Sequence, residues 1–190
     1  TVIMKKTSCL LLSAVLMALS ACGGKDDNKA ANADTAAATQ QKGPRPAEDE
    51  LTRRDTARLG GQTYVVSIHR RADTSLPTVT DPLDQVFYDN SVEVSVTRGG
   101  EPFFSKTFRK EAFTGFLSEA DRESCILLGM AYDESNSSAG HICLAAQVGQ
   151  PGTGEGPAFT IDIPTDGGTY SIVRDTQQDT TSEDREGEEA

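Results

Sequence analysis

The sequence predicts a mainly β domain, an antiparallel β-sandwich or curled sheet of about seven strands with one or two short helices. Three observations point there. Apolar and polar residues alternate over several short runs, as in Val92-Glu93-Val94-Ser95-Val96. Glycine pairs stand between such runs, at Gly99-Gly100 and Gly167-Gly168. A helical period surfaces only between Arg109 and Ser124.

In chain order, Tyr64, Val66 and Ile68 share one face of a first strand. The stretch 81–90 follows Pro77 and contains Pro82, and reads mostly as loop with Val86-Phe87-Tyr88 turned inward. Val92, Val94 and Val96 form the buried face of the next strand. It ends at Arg98-Gly99-Gly100-Glu101, a hairpin turn in which both glycines take the positive φ of type I′. Closing the chain there sets Val96 against Phe103 and Glu93 against Lys106, an opposite-charge pair. Pro102 is then tolerable if its strand lies at an edge.

Phe113, Phe116 and Leu117 fit a helical face, and Ser118 caps a further turn with Asp121 three residues on. The runs 125–132 and 141–148 are apolar enough for central strands, joined by the turn formers of 133–140. Phe159, Ile161 and Ile163 alternate with Thr160 and Asp162. Asp166-Gly167-Gly168 then turns the chain into Tyr170-Ser171-Ile172.

An address precedes the domain. Met4-Lys5-Lys6, with Met4 as the natural start, is followed by an apolar run from Cys9 to Leu19 and by Leu19-Ser20-Ala21-Cys22. Basic, apolar and small-residue regions in that order make a secretory signal. The run is too short to span a hydrocarbon core, which needs roughly 20 residues. Leu19-Ser20-Ala21-Cys22 resembles the lipobox of bacterial lipoproteins, which implies cleavage before Cys22 and lipid on its thiol. Each buried methylene contributes about 0.8 kcal/mol, so two or three palmitate-like chains on Cys22 give durable attachment where one would not. Lys25-Asp26-Asp27 resembles the surface-export signal of Bacteroidetes lipoproteins. Both the cell surface and the periplasmic face of the outer membrane stay open as locations.

Composition divides the chain into a signal peptide (1–21), a lipid-anchored flexible tether (22–60), a globular domain (61–174) and an acidic disordered tail (175–190). Residues 23–50 have almost no large apolar side chains and cannot offset the entropy of ordering. The stretch 48–59 reads as a short helix or more linker. Asp34-Thr35-Ala36, Asp55-Thr56-Ala57 and Asp179-Thr180-Thr181 resemble the O-glycosylation motif of exported Bacteroidetes proteins. The net charge of −11 becomes −13 once Lys5 and Lys6 leave with the signal. Such acidity argues against nucleic acid, whose phosphates need clustered Lys and Arg.

No catalytic, metal or cofactor motif stands out. After processing, Cys125 and Cys143 are the only thiols away from the lipid site. Matching the flanking apolar runs puts Cys143 near Met130 and Cys125 near Val148, about 15 Å apart, beyond disulfide reach. Two buried thiols acting as small hydrophobes are preferred; a tighter turn around Glu134 would instead bring them opposite and allow a bridge. His69 and His141 lack the paired spacing of a zinc site. Asp81, Asp84, Asp89, Asp133 and Glu134 are carboxylates of the kind glycoside hydrolysis uses in pairs, yet their separation is not legible in sequence. The glycine-rich stretch 152–156 lacks the following helix and lysine of a phosphate cradle. Absence of tryptophan removes the best sugar-stacking platform.

The region from Val92 to Ile172 resembles the uncharacterised Bacteroidetes lipoproteins of domain of unknown function 4738. The resemblance rests on the strand before Gly99-Gly100, on Lys106-Thr107-Phe108-Arg109-Lys110 running to Phe113, on Leu127-Leu128-Gly129, and on the hairpin from Ile161-Asp162-Ile163 to Gly168. It implies no activity and transfers no functional residue. The favoured reading is a non-enzymatic binding or accessory module of the cell envelope, held at the membrane through Cys22. An envelope or surface protein is its expected partner, with strand addition at the edge near Phe103 as one mode. The alternative is an extracytoplasmic hydrolase or inhibitor acting on peptide or glycan, with the loop Gln150 to Gly156 as the inhibitory element.

Overall fold

The computed structural model describes residues 43–176. The expectations for the signal peptide, Cys22, Lys25-Asp26-Asp27, the first and last Asp-Thr triplets and the tail beyond Thr176 lie outside those residues. Within them the strands are β1 (Leu51–Leu59), β2 (Gln62–Ala72), β3 (Thr78–Thr80), β4 (Val86–Tyr88) and β5 (Asn90–Arg98). After β6 (Glu101–Phe108) come a 3-10 helix, Lys110–Phe116, and α1 (Glu119–Ser124). The chain closes with β7 (Ile126–Asp133), β8 (His141–Gly149), β9 (Ala158–Pro164) and β10 (Ser171–Asp175).

Two four-stranded antiparallel sheets result, ordered β1-β2-β5-β6 and β10-β9-β8-β7, with β3 and β4 as a separate small pair. The inward residues of both four-stranded sheets join one apolar core, with Val66 and Val94 from the first and Leu144 and Ile161 from the second. Burying each such side chain contributes about 1.5–3 kcal/mol, so this shared core is what holds the layers together. The fold is therefore the mainly β, sandwich-like class the alternation predicts. Three strands beyond the seven anticipated account for the difference in number.

Two of those three, β3 and β4, are short and half-buried, with Phe87 the buried anchor. The third, β1, replaces the helix or linker expected over 48–59. Its inward positions are Arg53, Asp55, Ala57 and Leu59, of which only Ala57 is fully buried. Arg53 and Asp55 pair with each other at 3.0 Å along the strand. An edge strand with so little to bury leaves almost no alternation to read. Its turn went unread: Gly60 and Gly61 both have positive φ, at 56° and 77°, and set Leu59 against Gln62. The folded unit also reaches further back than residue 61, because Arg45 exchanges backbone hydrogen bonds with Val86 and Tyr88.

The Gly99-Gly100 hairpin closes as anticipated, with Arg98 opposite Glu101 and Thr97 opposite Pro102. The register then shifts by one residue, so Val96 faces Phe104 and Lys106 lies opposite Val94 rather than Glu93. Phe103 is the extra residue of a β-bulge. The cause is core filling, since without the bulge Phe108 would face solvent; with it, Phe108 is fully buried beside Val92. Glu93 faces Thr107 and pairs instead with Arg71 at 3.2 Å.

The helical stretch follows the sequence. Phe113 and Leu117 are buried, and Ser118 and Asp121 complete a reciprocal capping box. Phe116, placed on the same face, is partly exposed, its ring 6.0 Å from that of Phe159.

β7 and β8 pair two to three residues away from the expected register, with Cys143 opposite Asp133 and Leu127 opposite Val148. This setting matches Met130 to Ala146 on the inner face and Ala131 to Ala145 on the outer. Leu128 is a bulge residue here. Cys125 and Cys143 therefore sit at opposite ends of β7, roughly 25 Å apart along the strand. Both are free and buried.

Polar groups close the seam between the layers at β7. Asp89 accepts a hydrogen bond from the Leu127 amide at 2.9 Å, and the Asn90 side chain donates to the Leu127 carbonyl at 2.8 Å. Arg70, buried on β2, donates to the Leu128 carbonyl at 2.8 Å and to the Asp49 carbonyl at 2.8 Å, and pairs with Glu48. Leu127 and the Leu128 carbonyl, near the start of β7, thus have backbone groups satisfied by side chains from β2 and from the entry to β5.

Candidate binding groove

Small residues cluster on part of the outward face of the second sheet. Gly129 and Ala131 on β7, Ala145 on β8 and Ala158 on β9 follow from the β8 alternation, in which Leu144, Ala146 and Val148 point into the core. A floor of hydrogens and methyl groups leaves an open groove of about 400 Å³, with Glu48 and Leu128 at one rim. That volume is at the lower end of what small ligands and anchoring side chains occupy.

The loop after β8 forms the other wall. Gln150 donates its amide to Glu155, and Gly154 donates back to Gln150. Gln147 Nε2 holds the Gly154 carbonyl at 2.6 Å. Gly156 packs so closely on the strand that a Cβ there would lie 2.3 Å from the Val148 carbonyl oxygen. These contacts fix the wall. They make the stretch 152–156 a clamped loop, not an anion cradle.

The histidines are not brought together. His69 is on β2 in the first sheet, its ring paired with Glu50 and 3.8 Å from Glu93. Both ring nitrogens face carboxylates, so neither is free to activate a serine or a thiol. His141 is on β8, with Nδ1 2.8 Å from Asp162. Among the described residues no three His, Cys, Asp or Glu side chains form a cluster able to hold a metal ion. Asp81 is spent on its own loop, accepting from the amides of Leu83 and Gln85, and Asp133 accepts from Asn136.

Asp89 is the one buried carboxylate among those singled out. Burial pushes its carboxyl above the ordinary carboxylate range, against the opposing pull of the Leu127 and Asn90 amides and of Lys110 at 3.7 Å. It lies in the seam between the sheets and does not line the groove. Burial likewise pushes the Cys125 and Cys143 thiols up, which keeps them protonated and unreactive. Cys125 belongs to the core, whereas Cys143 faces outward under the 133–138 loop, its thiol donating to the Asn136 carbonyl.

Sequence reasoning missed the groove itself. Its floor is a set of glycines and alanines, the residues that carry least pattern. The loop that walls it was singled out for its glycines, which was the available signal. A second, smaller hollow of about 190 Å³ lies over β2, β5 and β6, where Ser67, Ser95 and Ser105 stand in register across three strands.

A family model described as Domain of unknown function (DUF4738) matches residues 29–170. The chain belongs to that family. The match is wider than the resemblance over Val92 to Ile172, taking in β1 and β2 and stopping just before β10. It therefore includes much of the stretch whose composition reads as tether. No curated protein matches the chain.

Proposed function

We propose that this protein is a lipid-anchored, non-enzymatic binding module of the cell envelope, with the groove on its second sheet as the docking site. The groove carries the reading: an open trough with a small-residue floor and a clamped wall accommodates a partner's side chains without presenting paired acid and base groups. The Leu19-Ser20-Ala21-Cys22 lipobox supplies the membrane attachment, and Lys25-Asp26-Asp27 favours display at the surface of a Bacteroidetes-type outer membrane. Strand addition at β6 is disfavoured beside it, because Pro102 and the Phe103 bulge interrupt that edge. A photo-crosslinking residue placed at Ala145 in the full, anchored protein should capture an envelope protein that the same probe at Thr56, on the other sheet, does not. Equal capture from both positions would reject the groove as the docking site. Protease shaving of intact cells, with a lysed control, assigns the face of the membrane.

An inhibitor of an extracellular hydrolase is the second reading. It is favoured by the clamped loop Gln150 to Gly156, whose tip is exposed. A crosslink at Thr153 into a hydrolase, with none at Ala145, would select it.

A further inference from the structure

We propose that the groove takes an extended peptide segment carrying lysine or arginine beside a large apolar side chain, an inference that rests on the groove being the docking site. Shape supplies the apolar half. Gly129, Ala131, Ala145 and Ala158 present nothing bulkier than a methyl group, and Gln147 beside them is drawn to the Gly154 carbonyl of the wall, so a bulky side chain from a partner fills the trough. The trough is open to solvent rather than enclosed, which suits a chain segment better than a buried small molecule.

Charge distribution supplies the other half. From Glu123 to Val173 the sequence contains no lysine or arginine, while Asp133, Glu134, Glu155, Asp162 and Asp166 fall in that span. Those residues build β7, β8, β9 and most of β10, the whole sheet that bears the groove. Arginine and lysine concentrate instead in β1, β2, β5 and β6 and in the helical connection. Arg70 does reach the rim, passing beneath Gly129, but its guanidinium is taken up by Glu48 and by the carbonyls of Asp49 and Leu128. The sheet that bears the groove thus carries acids and, before Arg174, no lysine or arginine, with Glu48 at the groove's rim and Glu155 beside Gly154 in its wall, within a chain of net charge −11. Such a field draws in cationic segments and repels acidic ones.

The test is fluorescence anisotropy on the full chain in non-ionic detergent. Its probes are three labelled peptides of identical phenylalanine spacing, with lysine, glutamine or glutamate at the intervening positions. The lysine peptide should bind at least about fivefold tighter than the glutamine peptide, as exposed charge pairs allow, and the glutamate peptide weakest. Added salt should shrink the difference. Ala145→Gln should weaken lysine and glutamine peptides alike by filling the trough, and Ala145→Arg should weaken the lysine peptide further. Ala145 is exposed, so both variants keep the fold, which circular dichroism checks. Equal binding of lysine and glutamine peptides, both lost in Ala145→Gln, would overturn the cationic preference and leave the groove as a docking site. Lysine-peptide binding untouched by either substitution would overturn the inference by placing the contact elsewhere, and the crosslinking from Ala145 reads the docking site independently.

Discussion

Asp89 Oδ1 accepts the backbone amide of Leu127 at 2.9 Å, joining the entry to β5 in one sheet to the edge strand of the other. The same oxygen accepts the Asn90 amide at 2.7 Å, and the Asn90 side chain takes the Leu127 carbonyl. Leu127 thereby receives from two side chains what a neighbouring strand would have provided. Asp89→Ala leaves two buried amides without an acceptor and should cost about 2–3 kcal/mol, the penalty for unsatisfied buried groups. Asp89→Asn retains an oxygen for both amides and should lie within about 1 kcal/mol of the parent. Urea unfolding at neutral pH separates these outcomes, and equal losses in both variants would mean that the charge, not the acceptor, matters.

The pH dependence of that comparison has a definite sign. Asp89 has a raised folded-state value because of burial, so its stability contribution is full below the ordinary carboxylate range and lost as pH rises through the folded value. Asp73 behaves oppositely: the Ser75 hydroxyl above all, with the Ser75 amide and Arg109, holds its carboxyl low. Its contribution is present above the ordinary range and lost as pH falls through the folded value. On acidification from neutral pH, the parent should therefore gain on Asp89→Asn and lose its advantage over Asp73→Asn. Paired urea titrations across the acidic range check both, and slopes of the same sign would refute the assignment.

Cys125 and Cys143 give a chemical readout of the register. With one thiol in the core and the other under the 133–138 loop, neither should react with a thiol reagent in the folded protein. Both should react once denatured, without prior reductant. A need for reductant would indicate a bridge and would force β7 and β8 into a different pairing.

Where the sequence was legible, one face of an element was clearly apolar. Val92, Val94 and Val96, or Phe159, Ile161 and Ile163, are buried as the alternation requires. The Ser118 and Asp121 cap was equally plain, because capping is local chemistry. Register was harder, since it depends on what a strand meets across the core. Phe108 could reach its place only through an extra residue at Phe103, and no local pattern announces that. β1 hid because Arg53 and Asp55 occupy its inward positions at an edge, where they satisfy each other. The groove hid for a related reason, as Gly129, Ala131 and Ala145 are defined by what they lack.

Gly156 offers the sharpest test of how the groove wall is held. Its φ of 150° lies where side chains are disfavoured, and a Cβ would meet the Val148 carbonyl oxygen at 2.3 Å and Gly149 Cα at 2.6 Å. Both obstacles are backbone, so nothing flexible can yield. Gly152, in the same loop, has a φ of 86° but open space around the added carbon. Gly152→Ala should therefore cost only the conformational strain, about 1 kcal/mol. Gly156→Ala must also lift the loop from β8, breaking the hydrogen bond that the Val148 N–H donates to the Pro157 carbonyl and the Gln147 contact to Gly154, and should cost about 3 kcal/mol. Amide exchange should quicken across 147–156 in Gly156→Ala and stay slow in Gly152→Ala. Similar exchange in the two variants would show that strain alone, rather than close packing, governs the wall.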